Sequence, residues 1–275
     1  MARKSDPMQV ASIWAPTPCK HFALVALTSL VLVFSGDLGA QIAQSVQQDD
    51  GRWRYAFGVG STYSTGNNDN SSLTLSADAI RSTLFEKLEF YGKTQVTRAD
   101  GKTTGEVGRL GARYQREINS RGVYGFGQTE AFRDTAAKLA SRYSFGNGGG
   151  IHLVRTEDDR FDVFAGIGYA QDRYTEPNNV GGAVRLRYSR FEALLGQESS
   201  HRFTSNTTFK QRLVIYPNLT TQGEYRAEFD VGLSVAMNKS LSLTTNLALR
   251  YNSDPGRDLD RQDVSLITAL SWKTR

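Results

Sequence analysis

The sequence predicts an all-β fold, an antiparallel up-and-down transmembrane β-barrel of about twelve strands. Past Gly51, apolar residues alternate with polar or small ones, which is the two-residue period of strands with two unlike faces. The predicted strands follow one another as hairpins with short connections. The mean hydropathy of −0.43 and the presence of one long apolar run exclude several membrane-spanning helices, but not a barrel, which hides its lipid face in alternate residues.

The first segment, residues 1–43, is predicted to be a secretory signal peptide. Arg3, Lys4 and Lys20 precede an apolar run at 22–34, and small and polar residues follow it. The run is short for a transmembrane helix, so we expect cleavage at 40–45 and export of the remainder; an uncleaved anchor is the alternative. The only cysteine, Cys19, leaves with this peptide, so the exported chain has no disulfides and no thiol chemistry.

The strands are predicted from the parity of the apolar positions. The clearest begins at Tyr225, where every second residue up to Met237 is apolar and the residues between are charged or small. The predicted strands are 53–64, 71–81, 86–98, 105–117, 122–133, 139–154, 160–172, 184–200, 206–216, 225–237, 241–251 and 262–273. In the eighth, the apolar parity shifts between Tyr188 and Phe191, which predicts a bulge or a break near Ser189. No linker interrupts the series, so 51–275 is expected to form a single barrel domain.

The connections predict the orientation of the barrel. Those after odd-numbered strands tend to be longer and rich in Gly, Asn and Asp, at 66–70, 99–104, 134–138, 173–182, 217–223 and 253–261. Those after even-numbered strands, such as 118–121 and 238–239, are tighter. In such barrels the short turns face the periplasm, which places both termini there. The outer connections are expected to be too short to fold into the lumen and constrict it.

A soluble sandwich or a lipocalin-like barrel is the alternative, because it also alternates, with its apolar face turned inward to a packed core. The period alone does not distinguish inward from outward. Hairpin order throughout, long strands and a face of Gly, Ser, Thr and charges of both signs favour the membrane barrel. Aromatic residues such as Trp53, Tyr225 and Trp272 fall toward predicted strand ends, where a membrane barrel carries its aromatic girdles.

Five segments carry a family resemblance. They are GNNDNSSLTL (66–75), LLGQESSHRF (194–203), LVIYPNL (213–219), GEYRAEFDVGLSVAMNKSLSL (223–243) and LRYNSDPG (249–256). Together they resemble the YdiY-like family of salt-induced outer-membrane proteins, which carries domain of unknown function 481, over about residues 53–272. The resemblance implies a β-barrel in the outer membrane of a Gram-negative bacterium. It implies no catalytic or binding residues.

The face opposite the apolar one is expected to line the lumen. Its predicted charged residues include Lys93, Arg109, Arg113, Arg212, Arg226, Glu228, Asp230 and Arg250. Charges buried away from lipid must be solvated or paired, so the lumen is either a wet pore or is filled by salt bridges. Basic residues outnumber acidic ones in the predicted set, so an open pore would weakly prefer anions. The functions expected are a small passive pore or an envelope-structural protein, with a link to salt or osmotic stress taken from the resemblance.

An enzyme is the alternative function. Ser199 and His201 share one face of a predicted strand and could serve an outer-membrane lipid hydrolase, although a polar strand end explains them more simply. The glycine run at 147–150 lacks the residues of a phosphate-binding loop and suits a kinked strand. Solvated turns are likewise preferred over calcium binding for Asp254, Asp258 and Asp260, and no zinc-ligand spacing occurs.

The expected partners follow from the predicted location. They are outer-membrane lipid and lipopolysaccharide, the barrel-assembly machinery during biogenesis, and small solutes or ions. The net charge of +5 is mild and basic residues alternate with acidic ones, which argues against nucleic acid. No cofactor and no metal are expected.

Overall fold

A computed structural model describes residues 49–64, 70–99, 102–256 and 259–274. Its strands form one closed barrel, in which each strand pairs antiparallel with the next and the last pairs with the first. The strands are β1 (Asp50–Ser64), β2 (Asn70–Thr83), β3 (Glu86–Ala99), β4 (Lys102–Glu117), β5 (Val123–Asp134), β6 (Leu139–Arg155), β7 (Asp159–Val180), β8 (Ala183–Arg202), β9 (Thr207–Pro217), β10 (Tyr225–Ala236), β11 (Leu241–Asn252) and β12 (Gln262–Lys273). The predicted fold class and the number of strands are confirmed.

Some predictions fall outside the described residues. They are the signal peptide at 1–43, most of the first connection at 66–70, and Asp258. The part of the chain that the structure describes contains no helix long and apolar enough to cross a membrane.

The barrel has two unlike ends. The termini end carries residue 49, residue 274 and the turns after even-numbered strands, and the hairpin end carries the connections after odd-numbered strands. Aromatic pairs stand on the outer surface near both ends. Trp53 stacks with Phe90 at 6.1 Å between ring centroids at the termini end, and Tyr225 stacks with Tyr251 at 5.2 Å at the hairpin end. They occupy the levels at which interfacial girdles flank an apolar band.

The apolar face points outward and the charged face points inward. Phe57, Leu195 and Leu270 are each about half exposed, whereas Glu228 and Asp230 are both 8% exposed. A soluble protein would place these residues the other way round, because water solvates charge and excludes apolar surface. The soluble alternative is therefore wrong, and the outer wall is suited to lipid.

The seventh strand extends well beyond its predicted end, whereas the eighth agrees with its predicted bounds to within two residues. The segment 173–182, predicted as a connection, is mostly strand, because β7 runs to Val180 and turns at Gly181 and Gly182. Both glycines have positive φ, 58° and 72°, as a two-residue hairpin turn requires. The prediction of a loop there was wrong because its Asn and Gly residues mark the tip of a long hairpin rather than a flexible connection.

The predicted bulge or break near Ser189 is also wrong. The pairing of β7 with β8 runs without interruption through Gln171 and Ser189, and the irregularity lies between Arg173 and Asn178 on the partner strand. The apolar parity shifts although the strand does not slip. Tyr188 is an inward-facing aromatic residue, 4% exposed, and Val184 and Leu186, which share its parity, are 67% and 53% exposed near the tip of the hairpin.

Glycines make room for aromatic side chains inside the barrel. Tyr124, Phe126 and Phe164 form a buried inward cluster with Leu194, Val214 and Tyr216. A Cβ atom added at Gly150 would collide with the ring of Tyr124, and one added at Gly196 would collide with the ring of Phe164. The run at 147–150 lies within β6 and makes this close packing possible.

We expect Gly148→Ala to destabilise the barrel by about 1–3 kcal/mol, the usual cost of overpacking. Gly148 pairs with Gly166, and an added Cβ would lie 2.6 Å from the Cα of Gly166, a backbone atom that cannot move aside. The matched control is Gly127→Ala on β5, where an added Cβ meets nothing within 4 Å. Urea unfolding in detergent micelles measures both variants, and equal stabilities would refute this account of the glycine pair.

Candidate functional site

The candidate site is a layer of ion pairs across the lumen. Arg109 on β4 lies 3.3 Å from a carboxylate oxygen of Glu130 on β5 and 3.4 Å from one of Glu228 on β10. Because β4 and β10 lie half-way round the ring from each other, the contact between Arg109 and Glu228 spans the interior. Tyr91 on β3 donates a hydrogen bond to Glu130 at 2.8 Å and fixes the acid in place.

Further arginines converge on Glu228. Guanidinium nitrogens of Arg226 and Arg250 each lie 3.8 Å from its carboxylate. Arg226 also forms a two-nitrogen contact with Glu192 on β8, at 2.8 and 3.0 Å, and Arg250 contacts Asp230 at 2.7 Å. We call this set the ion-pair layer; it comprises Arg109, Glu130, Glu192, Arg226, Glu228, Asp230 and Arg250.

A second cluster lies on the termini side of the layer. Glu198 on β8 accepts from Arg113 on β4 and, at 3.1 Å, from Arg212 on β9. The Arg113 guanidinium carbon lies 5.1 Å from the centroids of both the Phe126 and Phe164 rings. A planar cation against two aromatic faces gains cation–π attraction in addition to its ion pair.

A third cluster lies toward the hairpin end and is almost fully buried. Asp172, 1% exposed, accepts from Arg142 at 2.5 Å and from Arg190 at 2.9 Å. Arg190 also donates to Glu192 at 2.7 Å, which joins this cluster to the ion-pair layer. Sequence reasoning missed Arg190 and Glu192 as inward residues, because the parity shift in the eighth strand concealed which of its faces is charged.

The ion-pair layer separates two cavities. A cavity of about 270 Å³ occupies the termini side; its lining includes Lys87, Lys93, Arg113, Glu198, Lys210 and Asp230. A much smaller one, about 10 Å³, lies toward the hairpin end between Asp172, Tyr216 and Arg226. The two share no lining residue among those the structure describes. We call the larger cavity the vestibule. Arg109 and Asp230 of the ion-pair layer line the vestibule, and Glu192 and Arg226 of the layer line the smaller cavity.

The hairpin end is covered by the extension of β7 and β8. The backbone N–H of Gly181 donates to Asp254 at 2.7 Å, and the amide of Asn178 donates to the carbonyl of Pro255 at 3.3 Å. These contacts tie the hairpin to the connection between β11 and β12, four strands away round the ring. The expectation that no outer connection could constrict the lumen was wrong, because paired strands bridge the mouth where a short loop could not.

The predicted lumen residues all take part in this interior. Lys93, Arg109, Arg113, Arg212 and Asp230 line the vestibule and Arg226 lines the smaller cavity, while Glu228 and Arg250 belong to the ion-pair layer. The expected surplus of basic residues is absent from the vestibule lining, which carries equal numbers of basic and acidic side chains. The acids that restore the balance include Glu117 and Glu198, which were not in the predicted set.

The Ser199 and His201 pair does not form a nucleophile and base. His201 is held by Asp159 at 2.9 Å, but no hydrogen bond joins it to Ser199 in the described structure. The side chains are two residues apart on one strand, about 7 Å, which is beyond hydrogen-bond reach. The Glu198 side chain points into the lumen, whereas the ring of His201 stacks with that of Phe209 at 6.4 Å between centroids.

The other candidate metal and histidine positions have structural partners. Inside the barrel, His152 sits between Asp162 at 2.6 Å and Glu117 at 2.8 Å. Asp254 accepts a hydrogen bond from the backbone N–H of Gly181 in the hairpin. The residues within 49–64, 70–99, 102–256 and 259–274 contain no group of three or more His, Cys, Asp or Glu side chains that could hold a metal ion.

The family comparison agrees with the resemblance seen in the sequence. A family model described as "Protein of unknown function, DUF481" matches residues 57–273, which confirms the predicted family. No curated protein matches the chain.

Solved structures similar to this chain include three outer-membrane barrels. The KdgM porin in complex with disordered oligogalacturonate is 13% identical with a TM-score of 0.43, over 81% of this chain and 99% of that one. The translocator domain of the autotransporter NalP from Neisseria meningitidis is 10% identical with a TM-score of 0.44, over 81% and 88%. The NanC porin is 11% identical with a TM-score of 0.41, over 80% and 97%. No function of these proteins transfers to this chain.

We expect Arg113→Lys to cost about 1–3 kcal/mol of stability although the charge is kept, because lysine loses the planar contact with the Phe126 and Phe164 rings. The control is Arg133→Lys, whose side chain is 57% exposed and lies 3.5 Å from Glu106 at the rim; it should change stability by less than about 0.5 kcal/mol. The midpoints of urea unfolding in detergent micelles measure the stability of both variants. If Arg113→Lys leaves the stability unchanged, the stacking of the guanidinium on the two rings does not stabilise the barrel.

Proposed function

We propose that this chain, which belongs to the DUF481 family, is an outer-membrane β-barrel whose lumen is closed at rest by the ion-pair layer. The apolar outer wall and the charged interior support a place in a membrane. The predicted signal peptide supports export, the barrel-assembly machinery is the partner expected during insertion, and the outer membrane of a Gram-negative bacterium is the location proposed.

The observation that carries the proposal is the contact of Arg109 with Glu228 between the two cavities. Separating a buried ion pair is costly, and the cost is reduced here because Arg109 keeps Glu130 and Glu228 keeps Arg226 and Arg250. A conformation with the pair broken is therefore the minor one. This supports an envelope-structural or gated barrel over a constantly open pore.

Salt offers a physical route to opening. The vestibule brings water and ions to one side of the layer, and at 1 M salt the Debye length falls to about 3 Å. Solvent-accessible charged side chains of the ion-pair layer then attract one another less, so high ionic strength favours a conformation in which the ion pairs of the layer are broken. The link to salt or osmotic stress itself rests on the family resemblance. With equal basic and acidic lining, we expect an opened barrel to retain at most a weak anion preference.

We also propose that the barrel is not an enzyme. The separation of Ser199 from His201 supports this over the lipid hydrolase alternative, since a serine nucleophile needs its base within hydrogen-bond reach. Lipid hydrolysis by the purified barrel that disappears in both Ser199→Ala and His201→Ala would contradict it.

We predict that the purified wild-type barrel in planar bilayers spends most of its time closed. The double variant Arg109→Ala/Glu228→Ala should show resolved conductance steps more often than the wild type, because the contact between β4 and β10 is removed. The control is Arg133→Ala/Glu106→Ala, a rim pair with both side chains about half exposed, which should remain as closed as the wild type. A steady large conductance in the wild type would overturn the proposal.

A further inference from the structure

Two arginines face each other on the outside of the long hairpin. Arg173 on β7 and Arg187 on β8 are direct cross-strand partners, and both are exposed. Ser141 on β6 pairs with Arg173 and completes a row of hydrogen-bond donors across three strands. Neither guanidinium forms an ion pair with any residue in the described part of the chain. The nearby acid Glu176 is bound to Lys138 at 2.7 Å.

Like charges directly opposite on a sheet destabilise it unless an anion lies between them. The inward neighbours do not provide one, because Asp172 is engaged by Arg142 and Arg190 and faces the lumen. The side chains of a cross-strand pair start about 5 Å apart, a separation at which two guanidinium groups can bind the same tetrahedral anion. The geometry therefore favours a shared phosphate group.

The position of the row indicates that the phosphate belongs to a lipid. Tyr169 and Phe191, with ring centroids 5.4 Å apart, stand on the same outer face, and Gln171 bonded to Ser189 at 3.0 Å lies between them and the arginines. Four residues along a strand cover about 13 Å, or about 10 Å along the membrane normal once strand tilt is included. The arginines thus lie at headgroup level when the aromatic pair marks the edge of the hydrocarbon.

The surface below the row suits acyl chains. Tyr143, Phe145 and Phe191 are about 60% exposed on this side of the wall. A free phosphate would use only the arginines, whereas a lipid uses the donors and the apolar surface together. A phosphate monoester carries more charge than the diester of an ordinary phospholipid, which suits two cations.

We propose that Ser141, Arg173 and Arg187 form a binding site for a phosphate of lipid A, the phosphorylated glycolipid that anchors lipopolysaccharide in the outer leaflet. This inference rests on the proposed outer-membrane function and on the hairpin end facing outward. The lipid would then bind at a defined site, in contrast to the non-specific lipid contacts of the rest of the barrel wall.

The test compares the wild type with Arg173→Gln/Arg187→Gln in detergent, using lipid A and the same lipid A after enzymatic removal of its phosphates. The double variant should bind lipid A at least about tenfold more weakly, because each charge-assisted hydrogen bond contributes strongly. Dephosphorylation should weaken wild-type binding to the same extent and should not weaken the variant further. The control is Arg98→Gln on β3, an exposed arginine opposite Thr103, which should stay within about twofold of wild type.

Wild-type affinity in the double variant, or affinity that is unchanged by dephosphorylation, would overturn the site. Both arginines are exposed, so heat-modifiable migration on gels should show that the variant is folded. Fractionation of the cell tests the proposed function separately. A protein absent from the outer membrane that still binds lipid A through these arginines would refute the location and not the site, and the converse result would refute the site alone.

Discussion

The structure depends on one constraint, which is that a lipid-facing wall turns the charged side chains along the middle of the strands into a narrow lumen, where each must be paired or solvated. Charge in such an interior is costly unless it is paired or solvated. The barrel meets this condition with three clusters, centred on Glu198, Glu228 and Asp172. The first two join strands across the lumen, and the third joins the neighbouring strands β6, β7 and β8. In the proposed function, the same ion pairs that remove this cost also close the lumen.

Aromatic rings pack around the charges in two ways, against glycines and against guanidinium groups. Aromatic rings from β3, β5 and β7 lie over glycines on neighbouring strands, as Tyr91 lies over Gly111. They fill the volume that the ion pairs leave and present faces to the cations, with the Arg226 guanidinium 4.7 Å from the centre of the Tyr216 ring. The long hairpin then covers the mouth. The interior is therefore a packed and paired core at the hairpin end and a wet vestibule at the termini end.

The sequence was sufficient for the twelve strands, their order and their faces, because a two-residue period and short hairpins are local properties. It was insufficient where tertiary packing overrides the local pattern. The apolar parity of the eighth strand was misleading because Tyr188 points inward while Val184 and Leu186, which share its parity, are exposed near the tip of the hairpin. The pairing of Arg109 with Glu228 joins residues 119 apart in the chain, and no local pattern specifies which acid meets which base across a lumen.

A double-mutant cycle on Arg109→Ala and Glu228→Ala, measured by reversible unfolding in micelles, tests the contact across the lumen most directly. We expect each single substitution to cost about 3–5 kcal/mol and the double variant to cost less than their sum, with a coupling energy of about 1–3 kcal/mol. Additivity within about 0.5 kcal/mol would mean that the two side chains do not interact across the lumen, and the account of a closed barrel would be wrong.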